Sequence, residues 1–325
     1  MPTKIALLGL GRWGASISAA LQAREGLLVT GFDPDAELAG FAKQRGLLNQ
    51  PAWNIFAAVE GAEVVLLALP LSEQRETLTT IAPELRSGCV IVSVAPLLGP
   101  PLAWAAEFLP AERYFIASHP ILNPARWLTE AASPEAARAD LFARSQWALA
   151  PSTTCPPEAL KLASDLIALL GASPYFVDPA EHDGVMGTVG ALPILLAWAL
   201  MQATTSAPGW SEMHKAADAG FATATAALTD ADQAAVLLNG GNVVSRLDAM
   251  LDELKILRDL VASGSSPRLH EALAEAASRR AEWLAERQSG EPTDLPRSSV
   301  ELPSSSETFG RLLFGNLFRK RGEKK

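Results

Sequence analysis

Gly9, Gly11 and Gly14 form a G-x-G-x-x-G within GLGRWG, directly after the apolar run KIALLGL and before a stretch of helical spacing. Each glycine answers a separate demand of a bound dinucleotide. Gly9 permits a tight turn, Gly11 lets bare backbone approach a pyrophosphate, and Gly14 lets a helix pack on a strand. The helix that follows offers unpaired N–H groups and the positive end of its dipole to phosphate. Asp33 comes 19 residues after Gly14, at the end of the next apolar run. A carboxylate there accepts hydrogen bonds from ribose hydroxyls and repels a 2′-phosphate, so NAD is expected over NADP. Arg12 and Trp13 sit inside the loop and join its candidate contacts. An idle glycine turn is the plain alternative, but it leaves the register of strand, turn, helix and acid unaccounted for. A P-loop is excluded, because no G-x-x-x-x-G-K-[ST] occurs.

Ser118, His119 and Pro120 end the run RYFIASHP. In an open α/β sheet, ligands bind at the carboxyl ends of strands. Pro120 holds His119 to extended backbone. A neutral imidazole there could take a proton from a substrate hydroxyl as hydride leaves; a purely structural histidine is the competing reading. His214 and His270 stand on helical segments among charged neighbours and read as surface. Asp178, Pro179 and Glu181 match N-cap, N1 and N3 of a helix, which gives Glu181 a plain structural role. His182 and Asp183 follow in the first turns.

The elements that must position these groups alternate. Apolar runs at 4–10, 27–33, 62–70, 89–94, 113–120, 146–151 and 172–178 read as strands, with helical spacing between the early ones. Strands alternating with helices predict a parallel, doubly wound α/β sheet of Rossmann type. Beyond 178 no good strand occurs, and an all-helical domain is expected. There Leu247, Met250, Leu251, Leu254, Leu257 and Val261 make one helical stripe, either core or dimer surface. The expected divisions are 1–178 (dinucleotide-binding), 179–288 (helical) and 289–325 (linker and basic tail). The uncharged run from Gly184 to Ser211 is interrupted by glycines and prolines, so it reads as a buried helix, kinked at Pro193, and not as a transmembrane span.

With 325 residues and 49% hydrophobic composition, the chain can bury a sizeable core. Its net charge of −9 argues against a nucleic-acid partner. Cys89 and Cys155 suggest neither disulfide framework nor metal site, and a reducing, cytoplasmic setting is expected. The N-terminus lacks a signal-peptide cleavage pattern. The segment 311–325 carries six Lys/Arg against one Glu, a patch that could meet an acidic partner or membrane surface.

Taken together, GLGRWGASISAAL, GFDPD, AEVVLLALP, the His-Pro of SHPI, EHDGVM and NGGNVVSRLD resemble the prephenate/arogenate dehydrogenase family, over about 4–285. The resemblance implies an NAD(P) domain joined to a helical dimerisation domain, hence a homodimer. It implies oxidative decarboxylation of prephenate or arogenate on the route to tyrosine, with His119 as the histidine that engages the substrate hydroxyl. The candidate cofactor residues are then Gly9, Gly11, Arg12, Trp13, Gly14, Asp33, Pro70 and Ser93; the candidate substrate residues are Ser118 and His182. The chain also departs from the family. GALPI at 190–194 stands where S-H-L-P-H is usual, and GFATATA at 220–226 places Ala222 and Ala226 where substrate-binding arginines fall. The segment SVAPLL at 93–98 stands where D-x-x-S-x-K is usual and has Ser93 but no matching serine or lysine, and Asn239-Gly240 replaces an N-R pair. A site without those cations should hold a dicarboxylate poorly. A less anionic substrate, or a non-catalytic NAD-binding scaffold, follows as the alternative expectation.

Overall fold

The computed structural model describes residues 2–22, 24–127, 134–228 and 232–289. The expected linker and basic tail from 290 onward lie outside the described residues. Eight strands form one sheet: β1 (Thr3–Leu8), β2 (Leu27–Phe32), β3 (Gln50–Pro51), β4 (Val64–Leu67), β5 (Val90–Val94), β6 (Tyr114–Ile121), β7 (Gln146–Pro151) and β8 (Ser173–Phe176). Their order is β3-β2-β1-β4-β5-β6-β7-β8. The chain therefore reverses direction at β1 and β4, the switch point where such sheets open a ligand crevice.

Strand residues alternate between two cores, one on each face, as a doubly wound sheet requires. Ile5, Leu7, Val64, Leu66, Val92 and Ile116 face the helices Arg12–Leu21 and Pro157–Leu169. Ala6, Leu8, Val65, Leu67, Ile91 and Phe115 face the helices Ile55–Val59, Leu71–Ile81 and Gly99–Phe108. Each such aliphatic side chain contributes about 1.5–3 kcal/mol on burial.

The sheet is not wholly parallel. β6 pairs antiparallel with β7, and β7 then pairs parallel with β8. The reason lies in the connections. A parallel return needs a crossover element, which the helix Pro157–Leu169 supplies between β7 and β8. Between β6 and β7 the described residues form only short 3-10 turns, at Pro124–Arg126 and Pro134–Ala136.

After β8 the described chain is helical. Asp178 caps the helix Pro179–Met186 by accepting the N–H groups of Ala180 and Glu181. A π-helical turn follows at Gly187–Ala191, and the α-helix resumes over Leu192–Thr205. The wider turn accommodates Pro193, which sits in the first turn of the resumed helix, where a missing N–H leaves no bond unmade. The whole stretch Pro179–Thr205 is long and apolar enough to cross a membrane, and it is only 22% buried in its most apolar window. The expectation of a fully buried helix is thus corrected for the single chain: Leu192 and Ala197 are buried, but Trp198 is exposed. The stripe on the helix Gly240–Ala262 is likewise open, with Leu251, Leu254, Leu257 and Val261 exposed. The last described helix, Ser266–Ser289, returns to the sheet domain. Trp283 stacks on Trp127 at 5.7 Å, and Arg287 donates to the Leu122 carbonyl at 2.9 Å.

The first turn of the fold is a wedge of bare backbone. Gly9 has φ +99°, and a Cβ on it would lie 2.5 Å from the Ala68 carbonyl carbon. A Cβ on Gly14 would lie 1.8 Å from the Gly9 carbonyl oxygen. Gly14→Ala must push the helix off the loop, and overpacking of this kind removes about 1–3 kcal/mol or more. Thermal unfolding of the ligand-free variant should show a Tm lower by roughly 2–10 °C; an unchanged Tm would contradict the wedge.

Candidate active site

A cleft of about 600 Å³ opens at the carboxyl ends of the strands and continues between the sheet and the helical part. One end is the glycine loop. Gly9, Gly11, Arg12 and Trp13 line it. A Cβ at Gly11 would meet nothing within 4 Å, so this glycine leaves an open cradle at the start of the helix Arg12–Leu21. Gly14 does not line the cleft, because it is spent on packing against Gly9. The cradle and the helix start that lines the cleft fit a pyrophosphate.

Asp33 lines the cleft beside this loop. Its carboxylate accepts the Leu10 N–H at 2.6 Å and the Asp35 N–H at 2.9 Å, so it also fixes the loop it serves. Burial pushes its carboxyl above the ordinary value, with those two N–H groups pulling the other way. Glu73 is pushed up as well, by burial and then by the nearby charge of Asp33. Asp35, Glu73 and Pro70 line this end too.

Ser93 and Ser118, expected as contact residues, lie outside the cleft lining. Both are fully buried. Ser118 donates its hydroxyl to the Ser93 carbonyl at 2.6 Å, and Ser93 donates to Gln74 Oε1 at 2.6 Å. Gln74 in turn donates to the carbonyls of Leu69 and Val94. Together they tie the ends of β4, β5 and β6 under the cleft floor. Gln74 was not singled out in the sequence, where SEQRETL reads as an ordinary exposed helix face.

His119 lines the middle of the cleft beside Pro120 and opposite the segment Ala95–Leu97. His182 does not line it. It lies behind His119, buried, with its Nε2 3.1 Å from His119 Nδ1 and the two rings edge to face. The other nitrogen of His182 lies 3.1 Å from Asp183 Oδ1. Asp183 also accepts the N–H groups of Leu98 at 2.8 Å and Gly99 at 2.9 Å, and its own carbonyl accepts Asn239 Nδ2 at 2.7 Å. Burial, and then His182, push the His119 imidazole down to about 3, while Asp183 pulls the other way. His119 is therefore neutral at physiological pH.

The far end is built by the helical part. Met186, Gly190, Ala191, Ile194, Asp232, Ala235, Val236 and Asn239 line it. Asn239, noted in the sequence only as a remnant of a pair, is buried there and accepts from Asn242. Among the described lining residues Arg12 is the single Lys or Arg, against carboxylates from Asp33, Asp35, Glu73 and Asp232. Ala222 and Ala226 are exposed and lie outside the cleft lining. Among the described residues no His/Cys/Asp/Glu cluster could hold a metal ion.

Two consecutive family models match the chain. That for the prephenate dehydrogenase nucleotide-binding domain covers residues 17–175, and that for the prephenate dehydrogenase dimerization domain covers 178–275. Prephenate dehydrogenase of Bacillus subtilis (strain 168) is 26% identical over 277 residues, which is 83% of this chain and 73% of the relative. The crystal structure of prephenate dehydrogenase from A. aeolicus, in complex with hydroxyphenyl propionate and NAD+, superposes with a TM-score of 0.76 at 21% identity. That match covers 87% of this chain and 98% of the other. Synechocystis arogenate dehydrogenase superposes with a TM-score of 0.67 at 23% identity, covering 86% and 99%. With a dinucleotide cradle on the sheet, a half-buried histidine on the cleft wall and a helical part closing the cleft, this chain belongs to the prephenate dehydrogenase family, and it is a dinucleotide-dependent dehydrogenase.

Proposed function

We propose that the chain oxidises a secondary-alcohol carbon with NAD, and that His119 takes the hydroxyl proton. The observation that carries this reading is the placement of a neutral, half-buried imidazole on the cleft wall between the glycine cradle and the helical part. The family makes prephenate and arogenate the first substrates to consider, with loss of carbon dioxide accompanying oxidation.

When bound, the dinucleotide supplies the hydride acceptor. The chain's own residues do the rest. Gly11 and the helix start would hold the pyrophosphate, and Asp33 the ribose. Ala95–Leu97 and Pro70 would shape the nicotinamide end. His119, neutral before reaction, accepts the hydroxyl proton and carries positive charge afterwards. Asp183 lies two hydrogen bonds away and favours that charge. Asp33, Asp35 and Glu73 oppose a 2′-phosphate, which supports NAD over NADP. The exposed apolar residues of Gly240–Ala262 support pairing of two copies through the helical domain, and the soluble enzymes of the family support a cytoplasmic setting.

A second reading keeps the chemistry and changes the substrate. A far end walled by Ala191, Ile194, Ala235 and Val236, with Asp232 and no cation of its own among the described residues, favours a substrate less anionic than prephenate.

Melting the purified chain alone, with NAD, and with NAD plus prephenate or arogenate tests both. NAD at ~100 times its dissociation constant should add about 2.7 kcal/mol of apparent stability. No stabilisation by NAD or NADP would defeat the first reading. NADH absorbance should rise with the right substrate. Efficient prephenate turnover would sink the second reading, whereas NAD binding without turnover of any alcohol would leave a scaffold. Gly11→Ala should keep its Tm and weaken NAD binding, because its methyl group fills the cradle without touching the fold. Where a substrate is found, His119→Asn should lower kcat by about 10²–10⁴-fold and leave NAD affinity unchanged.

The depressed His119 value also sets a pH dependence. Between the ordinary imidazole value of ~6.5 and about 3, the unfolded chain binds a proton at this site and the folded chain does not. Unfolding free energy must fall as pH falls through that window. His119→Gln should flatten this slope in urea titrations at pH 7 and pH 5; an equal slope in both proteins would show that the imidazole is not held neutral.

A further inference from the structure

The three-group chain behind the cleft has a chemical direction. It begins at Asp183, whose carboxylate already accepts the main-chain N–H groups of Leu98 and Gly99. A carboxylate so placed can only accept, so the proton between it and His182 sits on His182 Nδ1, at 3.1 Å. An imidazole whose single proton sits on Nδ1 has a bare lone pair on Nε2. That lone pair lies 3.1 Å from His119 Nδ1, which must therefore carry the proton in this contact. One nitrogen remains. His119 Nε2 keeps its lone pair, on the ring that lines the cleft.

We propose that Asp183 is a positioning residue that, through His182, sets the tautomer of His119 and presents its Nε2 lone pair to the cleft. The same carboxylate fixes Leu98 and Gly99, directly after the cleft-lining segment Ala95–Leu97. The contact is close: a Cβ on Gly99 would lie 2.9 Å from Asp183 Oδ2. The orientation of the base and the position of the loop beside the nicotinamide end thus depend on one side chain. His182, expected from the sequence to meet substrate, instead transmits this order from behind. The inference rests on His119 as the proton acceptor, but the tautomer it requires can be measured without any substrate.

The chain has four histidines, so full-length protein labelled with ¹⁵N-histidine gives a spectrum that can be assigned with His214→Gln and His270→Gln. Long-range ¹H–¹⁵N correlation at pH 7.5 should find both His119 and His182 protonated on Nδ1, the opposite of the form free imidazole side chains favour. His119 protonated on Nε2 in the native protein would overturn the proposal. In Asp183→Asn, His119 should shift toward the Nε2–H form; persistence of Nδ1–H would overturn the role of Asp183. Because Asp183 also holds backbone, that variant can fail to fold. His182→Phe then keeps the test, since it removes the acceptor in a similar shape and should release His119 to Nε2–H. A His119 still locked on Nδ1–H in His182→Phe would equally refute the relay. Failure of NAD binding or turnover bears on the proposed function and leaves the tautomer result standing. Where a substrate is turned over, Asp183→Asn should lower kcat by about 10²-fold, beyond any change in the KM for NAD. A change in KM alone would mark Asp183 as merely structural and overturn the inference.

Discussion

A carboxylate taken out of water must find donors, and the structure is organised around how Asp183 finds them. It has two main-chain N–H groups from the start of one helix, an imidazole N–H from its neighbour, and a carbonyl that receives Asn239. These partners come from the sheet domain, from the first helix of the helical part, and from the junction before Gly240–Ala262. Unpaired, such a charge would be far more costly than any one of these bonds is favourable. The side chain of Asp183 thus ties its own helix to the start of the helix Gly99–Phe108, and its main-chain carbonyl ties in Asn239. An apolar contact accompanies it, in which Leu71, Ala95 and Leu97 meet Met186, Ala234 and Ala235. That contact supplies area, while the carboxylate supplies the register.

The opposite end of the cleft is specified by exclusion. Gly9 and Gly14 let the loop, the helix and Ala68 approach to distances that no side chain survives. Gly11 is free of such contacts, and its missing side chain is space for a ligand. Three glycines of one motif thus divide into two that make the fold and one that makes the site. Between the ends, the floor is a buried polar net of Ser118, Ser93 and Gln74. Both hydroxyls in it donate within the net, so these groups steady the strands.

What could be read from the sequence follows from range. The glycine loop and Asp33 are local, because turn, helix start and acid are fixed by nearby spacing. The Asp178 cap is local for the same reason. The strand runs were visible as apolar segments, but the direction of β7 was not: strands buried on both faces look alike whichever way they run. β3 has two residues and carries no period at all. Gln74 and Asn239 take their roles from partners 20 and 56 residues away, which no window of sequence contains. His182 was expected at the substrate because it neighbours a family motif. Its real partner, His119, is 63 residues distant, and only folding puts one ring behind the other. The helix Leu192–Thr205 was expected to be buried because it is apolar. Only Leu192 and Ala197 of it are buried in the single chain, because apolar composition does not by itself say which neighbour covers a face.

The retained and exchanged residues of the site differ in what they touch, and this explains how a family frame can persist around an altered substrate end. Asp33, Asp183, His182 and Gln74 each satisfy buried groups of the protein itself, so their loss would leave unpaired donors or acceptors inside the fold. Such positions are held by stability whatever the enzyme acts on. Ala191, Ile194, Ala235 and Val236 face the cleft, where their partner is solvent or substrate. Exchange of the imidazoles usual in the family for Ala191 and Ile194 leaves nothing inside the protein unsatisfied. It changes what the cleft can hold, and hardly changes how the cleft is built. His119 stands on the protected side of this division, because one ring nitrogen is bound into the buried chain. The buried polar chain is therefore the part of the cleft most firmly built into this protein, and the apolar lining of the far end is the part most free to change.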